Sequence, residues 1–318
     1  MHLIRLKFSI LATITGIIGL STLFVAILLT LTRSFNIYFT ILIVLFFNLI
    51  QWLYAPKMIE SLYRMKEVTR NDEPRLHELT KRICDKAKFP IPKIMIANMP
   101  IPNAFAYGSP ISGNRIAVTT ELTKILEEEE VEAVLAHEVG HLKHKDVQVM
   151  MFASVLPAIF YYIGISFMFS SMWGNRRTNS GNGIAIGIVS MALYWILTLG
   201  VMRLSRLREY YADQMAINNV DDGSRKLSEA LAKITIHSGK YKLKNRNTGK
   251  TSSFKSLFIS DPDRSEKDEV LIAKSGIGQC DQKLVKDILR RKITVRDRIM
   301  ESLSTHPNIV KRLKAINN

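Results

Sequence analysis

At 318 residues and 47% hydrophobic content the chain can bury one or two ordinary cores, and a formal net charge of +16 would in a soluble protein point to nucleic acid. The placement of that charge excludes a nucleic-acid partner, because Lys and Arg crowd one side of four long apolar runs. Two cysteines, Cys84 and Cys280, in no metal-type spacing, exclude a disulfide framework and suit a reducing compartment.

Residues 8–32 and 34–56 contain no Asp, Glu, Lys or Arg. Each exceeds the roughly 20 residues that cross a bilayer, so 1–56 reads as a transmembrane hairpin turning at Thr32–Asn36. A cleavable signal peptide is the competing reading of the first run. Its apolar stretch exceeds the usual core of about 7 to 15 residues, and no small-x-small cleavage site follows.

Past Pro56 the pattern becomes amphipathic. Asn71-Asp72-Glu73-Pro74 predicts a cap with Pro in the first turn of a helix running to about Lys88, which Pro90 and Pro92 end. Lys93–Asn98 and Arg115–Thr120 read as short strands, with Asn103–Gly108 extended between turn residues; irregular loop is the alternative for all three. Glu127 to Glu130 open the next helix, where acidic side chains favour its positive end.

That helix carries His137, Glu138 and His141 in the H-E-x-x-H pattern. Residues four apart share a helix face, so both imidazoles can reach one metal ion while Glu138 reaches the water bound to it. The pattern is a zinc hydrolase signature, with Glu138 as the base. The helix is charged and stops before Val147, so the site belongs at the membrane edge rather than inside an apolar span. His144 lies near the face of His141, but a fourth protein ligand would close the position that water needs.

Residues 147–175 and 178–202 are again free of charged side chains and predict a second hairpin. Gly164, Gly174, Gly181, Gly183, Gly187 and Pro157 make these spans less regular than the first pair, and a buried helical hairpin is the other reading. Arg5, Lys7, Lys57, Arg64, Lys66, Lys143, Lys145, Arg203, Arg206 and Arg208 flank one side of the spans. Only Arg33, Arg176 and Arg177 flank the other. Both termini and the metal helix are therefore expected to face the cytoplasm, with basic surface held against anionic lipid.

The third ligand must return to that side, and Ser205–Asp213 does so with Glu209 and Asp213 four apart on a helix. Glu209 completes a two-histidine, one-glutamate zinc set; Asp213 suits the outer N–H of an imidazole. An ion pair with Arg206 or Arg208 is the structural alternative for these carboxylates.

Taken together, Asn103-Ala104-Phe105-Ala106-Tyr107-Gly108, Ala136–His141 with Asp146, Ser205–Asp213, and Ser304–Pro307 with Arg312 resemble the HtpX-like membrane-bound zinc metalloproteases. These are related more distantly to prenyl-protein proteases and in site plan to gluzincins. The resemblance implies ATP-independent endopeptidase activity in membrane protein quality control and stress response, on membrane proteins or unfolded polypeptides. It implies one Zn2+ per chain on His137, His141 and Glu209, with Glu138 as base. It further implies that Asn103–Gly108 forms the edge strand onto which substrate adds, and that His306 and Arg312 lie near the site, where a donor can stabilise an oxyanion.

Lys240–Lys255 reads as a loop, and 263–303 is matched by no motif, apart from an amphipathic helix near Gln282 to Arg291. The expected fold is α+β: four transmembrane helices and a mainly helical cytoplasmic zinc-protease domain carrying a small β-sheet. Its parts are expected at 1–56, 57–146, 147–202 and 203–318. A prenyl-protein protease and a non-catalytic scaffold are the other functional readings; the first needs a larger membrane chamber, and the second has no use for intact ligands and base.

Overall fold

The computed structural model describes residues 37–173, 180–244 and 281–318. The first expected span, the turns holding Arg33, Arg176 and Arg177, most of the Lys240–Lys255 stretch and 263–280 lie outside the described residues. Among those described, the protein is mainly helical with one small sheet. Three helices, over Leu42–Tyr63, Asp146–Phe169 and Gly183–Asn219, are long and apolar enough to cross a membrane.

By its internal packing the chain divides into two units. One comprises 1–53 and 148–201, the other 54–147 and 202–318. In the first lie most of α1 (Ile37–Tyr63), α5 (Asp146–Trp173) and the apolar part of α6 (Ser180–Asn219). Here two glycines serve packing. A methyl group on Gly164 would sit 2.9 Å from Met191 Sδ and 3.3 Å from Gly187 O, and one on Gly187 would sit 3.2 Å from Gly164 O. Helices α5 and α6 thus meet backbone to backbone at two facing glycines, the usual device where apolar helices gain nothing by hiding from water. Pro157 is accommodated inside α5.

The second unit is built on a four-stranded sheet of order β1-β2-β4-β3. Its strands are β1 (Lys66–Glu67), β2 (Lys93–Ala97), β3 (Ala104–Ser109) and β4 (Gly113–Thr119). Strands β2 and β4 are parallel; β3 pairs antiparallel with β4, setting Phe105 opposite Ala117 and Tyr107 opposite Arg115. The two-residue alternation of strand side chains sorts the faces. Ile94, Ile116 and Val118 enter the main core, while Met95, Phe105, Tyr107 and Ala117 form a smaller cluster on the other side.

Helix α2 (Pro74–Ala87) starts with Pro in its first turn, as expected, but its N-cap is Glu73 without a side-chain bond. Asp72 instead closes the preceding turn by accepting from Thr69 N and Oγ1 at 2.8 and 2.7 Å. Lys88 ends the helix in the left-handed conformation. After β4 come α3 (Thr120–Ile125) and α4 (Glu128–Lys143), then, beyond α6, α7 (Gly223–Lys244), α8 (Asp281–Leu289), α9 (Val295–Ser302) and α10 (Ile309–Ile316). Residues 240–244 therefore close α7 rather than open a loop.

The unmatched stretch also contributes to the core. Val285 and Ile288 of α8 join Leu231 and Ile234 of α7 and Leu313 and Ile316 of α10 in one buried cluster. Lys233 ties the helices further, reaching Glu130 of α4 at 2.8 Å and Asp281 of α8 at 3.0 Å.

Candidate metal centre

Helix α4 is set by its own sequence. Glu127 and Glu130 form a reciprocal capping box, and the acidic first turn meets the positive end of the helix. The helix is buried along nearly its whole length, which takes His137 and Glu138 with it; both are at most 2% exposed. His141, one turn on, is half-buried at the open end.

Helix α6 brings the carboxylates. It approaches α4 where α4 has no side chain: a methyl on Gly140 would sit 2.9 Å from Met215 Cβ and 3.1 Å from Ala212 Cα. Neither atom can swing away, so glycine is what allows this separation. The result is a group of His137, His141 and Glu209 whose donor atoms all lie within 4.8 Å of one another. His137 Nε2 and His141 Nε2 are 3.1 Å apart, and Glu209 offers Oε2 at 3.7 Å from the first and Oε1 at 3.5 Å from the second.

Each imidazole is fixed from behind. His137 Nδ1 lies 3.0 Å from Asp213 Oδ1, the pairing expected from Asp213's place one turn after Glu209. His141 Nδ1 lies 2.7 Å from Asp146 Oδ2. With each Nδ1 facing a carboxylate, each Nε2 presents its lone pair to the centre of the group. Two imidazole nitrogens and a carboxylate oxygen, converging from two buried side chains and one half-buried one, suit a borderline-soft divalent cation that accepts three protein ligands.

Asp146 was legible only as part of a motif; its partner was missed. Lys145 takes a left-handed backbone (φ 55°), which turns the chain so that Asp146 faces back toward α4. Arg208, 62 residues later, then donates to Asp146 from both Nε and Nη2, and also to the His144 carbonyl. His144 caps α4, its ring 6.1 Å from Tyr211, and it is not among the converging donors.

Arg312, on α10, is the other organiser. Its Nε and Nη2 each donate to Asp213 at 2.7 Å, and Nη1 lies 2.9 Å from Glu209 Oε2. Nη2 also sits 3.3 and 3.1 Å from the two nitrogens of His137. Near-equal distances to both put it over the ring face, away from the in-plane lone pair. Each of its three guanidinium nitrogens thus meets a site carboxylate. Arg312 is buried and bridges the two carboxylates of α6. Its guanidinium is held above its ordinary pKa: burial works against the charge, but Asp213 and Glu209 outweigh it.

Burial likewise opposes a charge on His141, yet its hydrogen bonds to Asp146 and Glu209 push it up to about 10. Proton and cation therefore compete for that imidazole. His306 lies beside the group, with Nδ1 3.3 Å from Glu209 Oε1. Of Asn103–Gly108, residues 104–108 lie on β3, an edge strand of the sheet, and Asn103 directly precedes it.

A family model described as peptidase family M48 matches residues 70–318. A protease HtpX homolog from Thermoplasma acidophilum is 34% identical over 315 residues, spanning 97% of this chain and 91% of the relative. Protease HtpX homolog 2 from Saccharolobus solfataricus is 43% identical over 206 residues, spanning 62% of this chain and 63% of the relative. Among solved structures, the crystal structure of S. mikatae Ste24p superposes with a TM-score of 0.61 at 18% identity, covering 99% of this chain and 67% of that one, a likeness of fold.

Proposed function

We propose, for a chain that belongs to peptidase family M48 and is a multi-pass membrane metalloprotease, a zinc-dependent endopeptidase that cleaves exposed segments of misfolded or damaged membrane proteins at the cytoplasmic face. The observation that carries the reading is the convergence of His137, His141 and Glu209, with each imidazole backed by its own carboxylate. His137, His141 and Glu209 would hold one zinc ion. When bound, zinc supplies a polarised water with its pKa lowered to about 7.

Glu138 would accept a proton from the attacking water as its oxygen bonds to the peptide carbon, and would return it to the leaving amine nitrogen as the C–N bond breaks. His306 donates to the carbonyl oxygen as it gains negative charge. The substrate backbone adds beside β3 through Asn103–Gly108, so extended chain is selected more than sequence. The first unit, with a further span at 8–32 making four, anchors this machinery in the bilayer.

Protein purified in detergent with a chelator should be inactive, and zinc should restore cleavage of an unfolded polypeptide. Failure of zinc to restore any peptidase activity would remove the reading. Preference for a prenylated peptide over an unfolded chain would favour a prenyl-protein protease instead.

The orientation is tested separately by impermeant labels. Positions 128 and 221, both with exposed side chains, should report the cytoplasmic side and position 179 the opposite side. Labelling of 128 and 221 from opposite sides would contradict the pairing of α4 with α7.

The backing carboxylates should tune the metal without touching it. Asp213→Asn and Asp146→Asn should each weaken zinc affinity by about 10 to 100 fold, with activity recovered at excess zinc. Zinc titrations that overlay those of the unmodified protein would take these residues out of the site.

A further inference from the structure

Helix α9 is amphipathic in the wrong sense for a helix on a soluble surface. At 100° per residue, Val295, Ile299 and Leu303 fall on one arc, with Met300 beside them, and Glu301 falls opposite. A soluble helix would bury the arc and expose the carboxylate. Here Glu301 is buried, accepting from Asn308 N at 3.2 Å and paired with Lys311 at 2.5 Å. The four apolar side chains are between 48% and 73% exposed.

The orientation is built in. Thr294 caps the helix in a reciprocal box with Asp297, Arg291 pairs with Asp297, and Arg206 of α6 donates to the carbonyls of Ser302 and Ser304. The helix is thus tethered on its polar side and at both ends, with the apolar arc turned outward. An exposed stripe of this kind marks a surface that something covers.

The cations flanking the arc indicate what covers it. Arg296 and Arg298 lie on its two sides, both exposed. Across an open groove, Arg298 is joined by Arg203 and Arg206 of α6, with the half-exposed Leu207 among them. Arg203 is the first charged residue after the charge-free run 178–202, in the same continuous helix. Where a spanning helix first carries a cation is where its surroundings change from acyl chain to headgroup. Apolar side chains at that level with guanidiniums beside them match a bilayer surface bearing negative headgroups.

We propose that α9 is an interfacial helix that lies on the membrane with Val295, Ile299 and Leu303 among the acyl chains, and that Arg203 and Arg298 hold the phosphate of an anionic phospholipid in the groove between α9 and α6. The chain leaving α9 reaches His306 within a few residues, and Arg206 grips that segment at Ser304. The membrane surface and the metal centre therefore share one short piece of backbone. The inference relies on the chain spanning a bilayer, and on neither zinc nor the side the domain faces.

The test uses the full chain with an environment-sensitive fluorophore on Ile299→Cys. Cys280→Ser leaves buried Cys84 as the one other thiol, and a label on Arg75→Cys, at a side chain 83% exposed, is the solvated reference. Each protein is reconstituted into nanodiscs of phosphatidylcholine alone or mixed with phosphatidylglycerol.

In the mixed discs the label at 299 should shift to the blue and be quenched by a nitroxide on the lipid acyl chain, while the label at 75 does neither. The combined Arg203→Gln and Arg298→Gln changes, or high salt, should reverse much of the shift. Emission at 299 matching that at 75 in both lipids would overturn the proposal. So would equal responses in the two lipids, which would remove the anionic selection, or the same blue shift produced by inorganic phosphate in detergent. A blue shift that escapes lipid quenching and grows with protein concentration would assign the face to a second copy of the chain and also overturn it.

Discussion

The Glu138→Gln protein should keep its zinc and lose peptide hydrolysis by at least about 10² to 10⁴ fold. Gln has the shape of Glu and no basic oxygen. Glu138 is buried on the metal helix but is not one of the three converging donors, so its replacement leaves the ligand set and the carboxylates behind it in place. Metal content and the cleavage rate of an unfolded polypeptide, measured on the same preparation, separate the two functions. Glu209→Ala should behave in the opposite way, because it removes a ligand and leaves two imidazoles facing water. Full activity in Glu138→Gln would sink the proposed mechanism, whereas loss of zinc in that protein would mean that Glu138 is needed to build the site.

The largest effect on stability should come from Arg312→Met. Arg312 is 2% exposed and is the cation shared by two buried carboxylates, Asp213 and Glu209. Removing one partner of a buried ion pair leaves an unpaired charge in a medium of low dielectric constant and costs about 3–5 kcal/mol. Met fills similar space with no charge, so lost packing is a minor part of the change. Denaturant unfolding in detergent should show this loss. Excess zinc should restore only part of it, because the metal compensates Glu209 and not Asp213. A loss below about 1 kcal/mol, the range of an exposed pair, would show that water reaches these carboxylates.

The parts of this protein that could be read from residue order are those whose physics is local. The four-residue spacing of His137 and His141 puts both on one helix face in any fold that forms the helix, and the acidic residues that start α4 are adjacent in sequence. Glu209 and Asp213 were legible for the same reason once the spans returned the chain to the same side. Alternation and flanking turn residues indicated short strands at 93–98 and 115–120 and an extended stretch at 103–108, where the structure has strands at 93–97, 113–119 and 104–109. The amphipathic helix near Gln282 was legible too, but its period said only that it had an apolar face, not that the face enters the same core as α7 and α10.

By itself the sequence determined the three apolar helices among the described residues, the helix carrying His137 and His141 and the spacing of its donors, because hydrophobic length and helical period act within one segment. Tertiary structure decided everything that depends on which segments meet. Gly140 is unremarkable in sequence, yet it sets how closely α6 can bring Glu209 to the histidines. The grip of Arg208 on Asp146 and of Arg312 on Asp213 joins residues 62 and 99 positions apart, distances over which no sequence period carries information. The edge position of β3 depends on strand order, which alternation does not encode. Likewise, the sequence of α9 contains both an apolar arc and a buried-capable carboxylate. Its tethers to α6 and α10 choose which of them faces outward, because a helix's period gives its faces and only its neighbours give their direction.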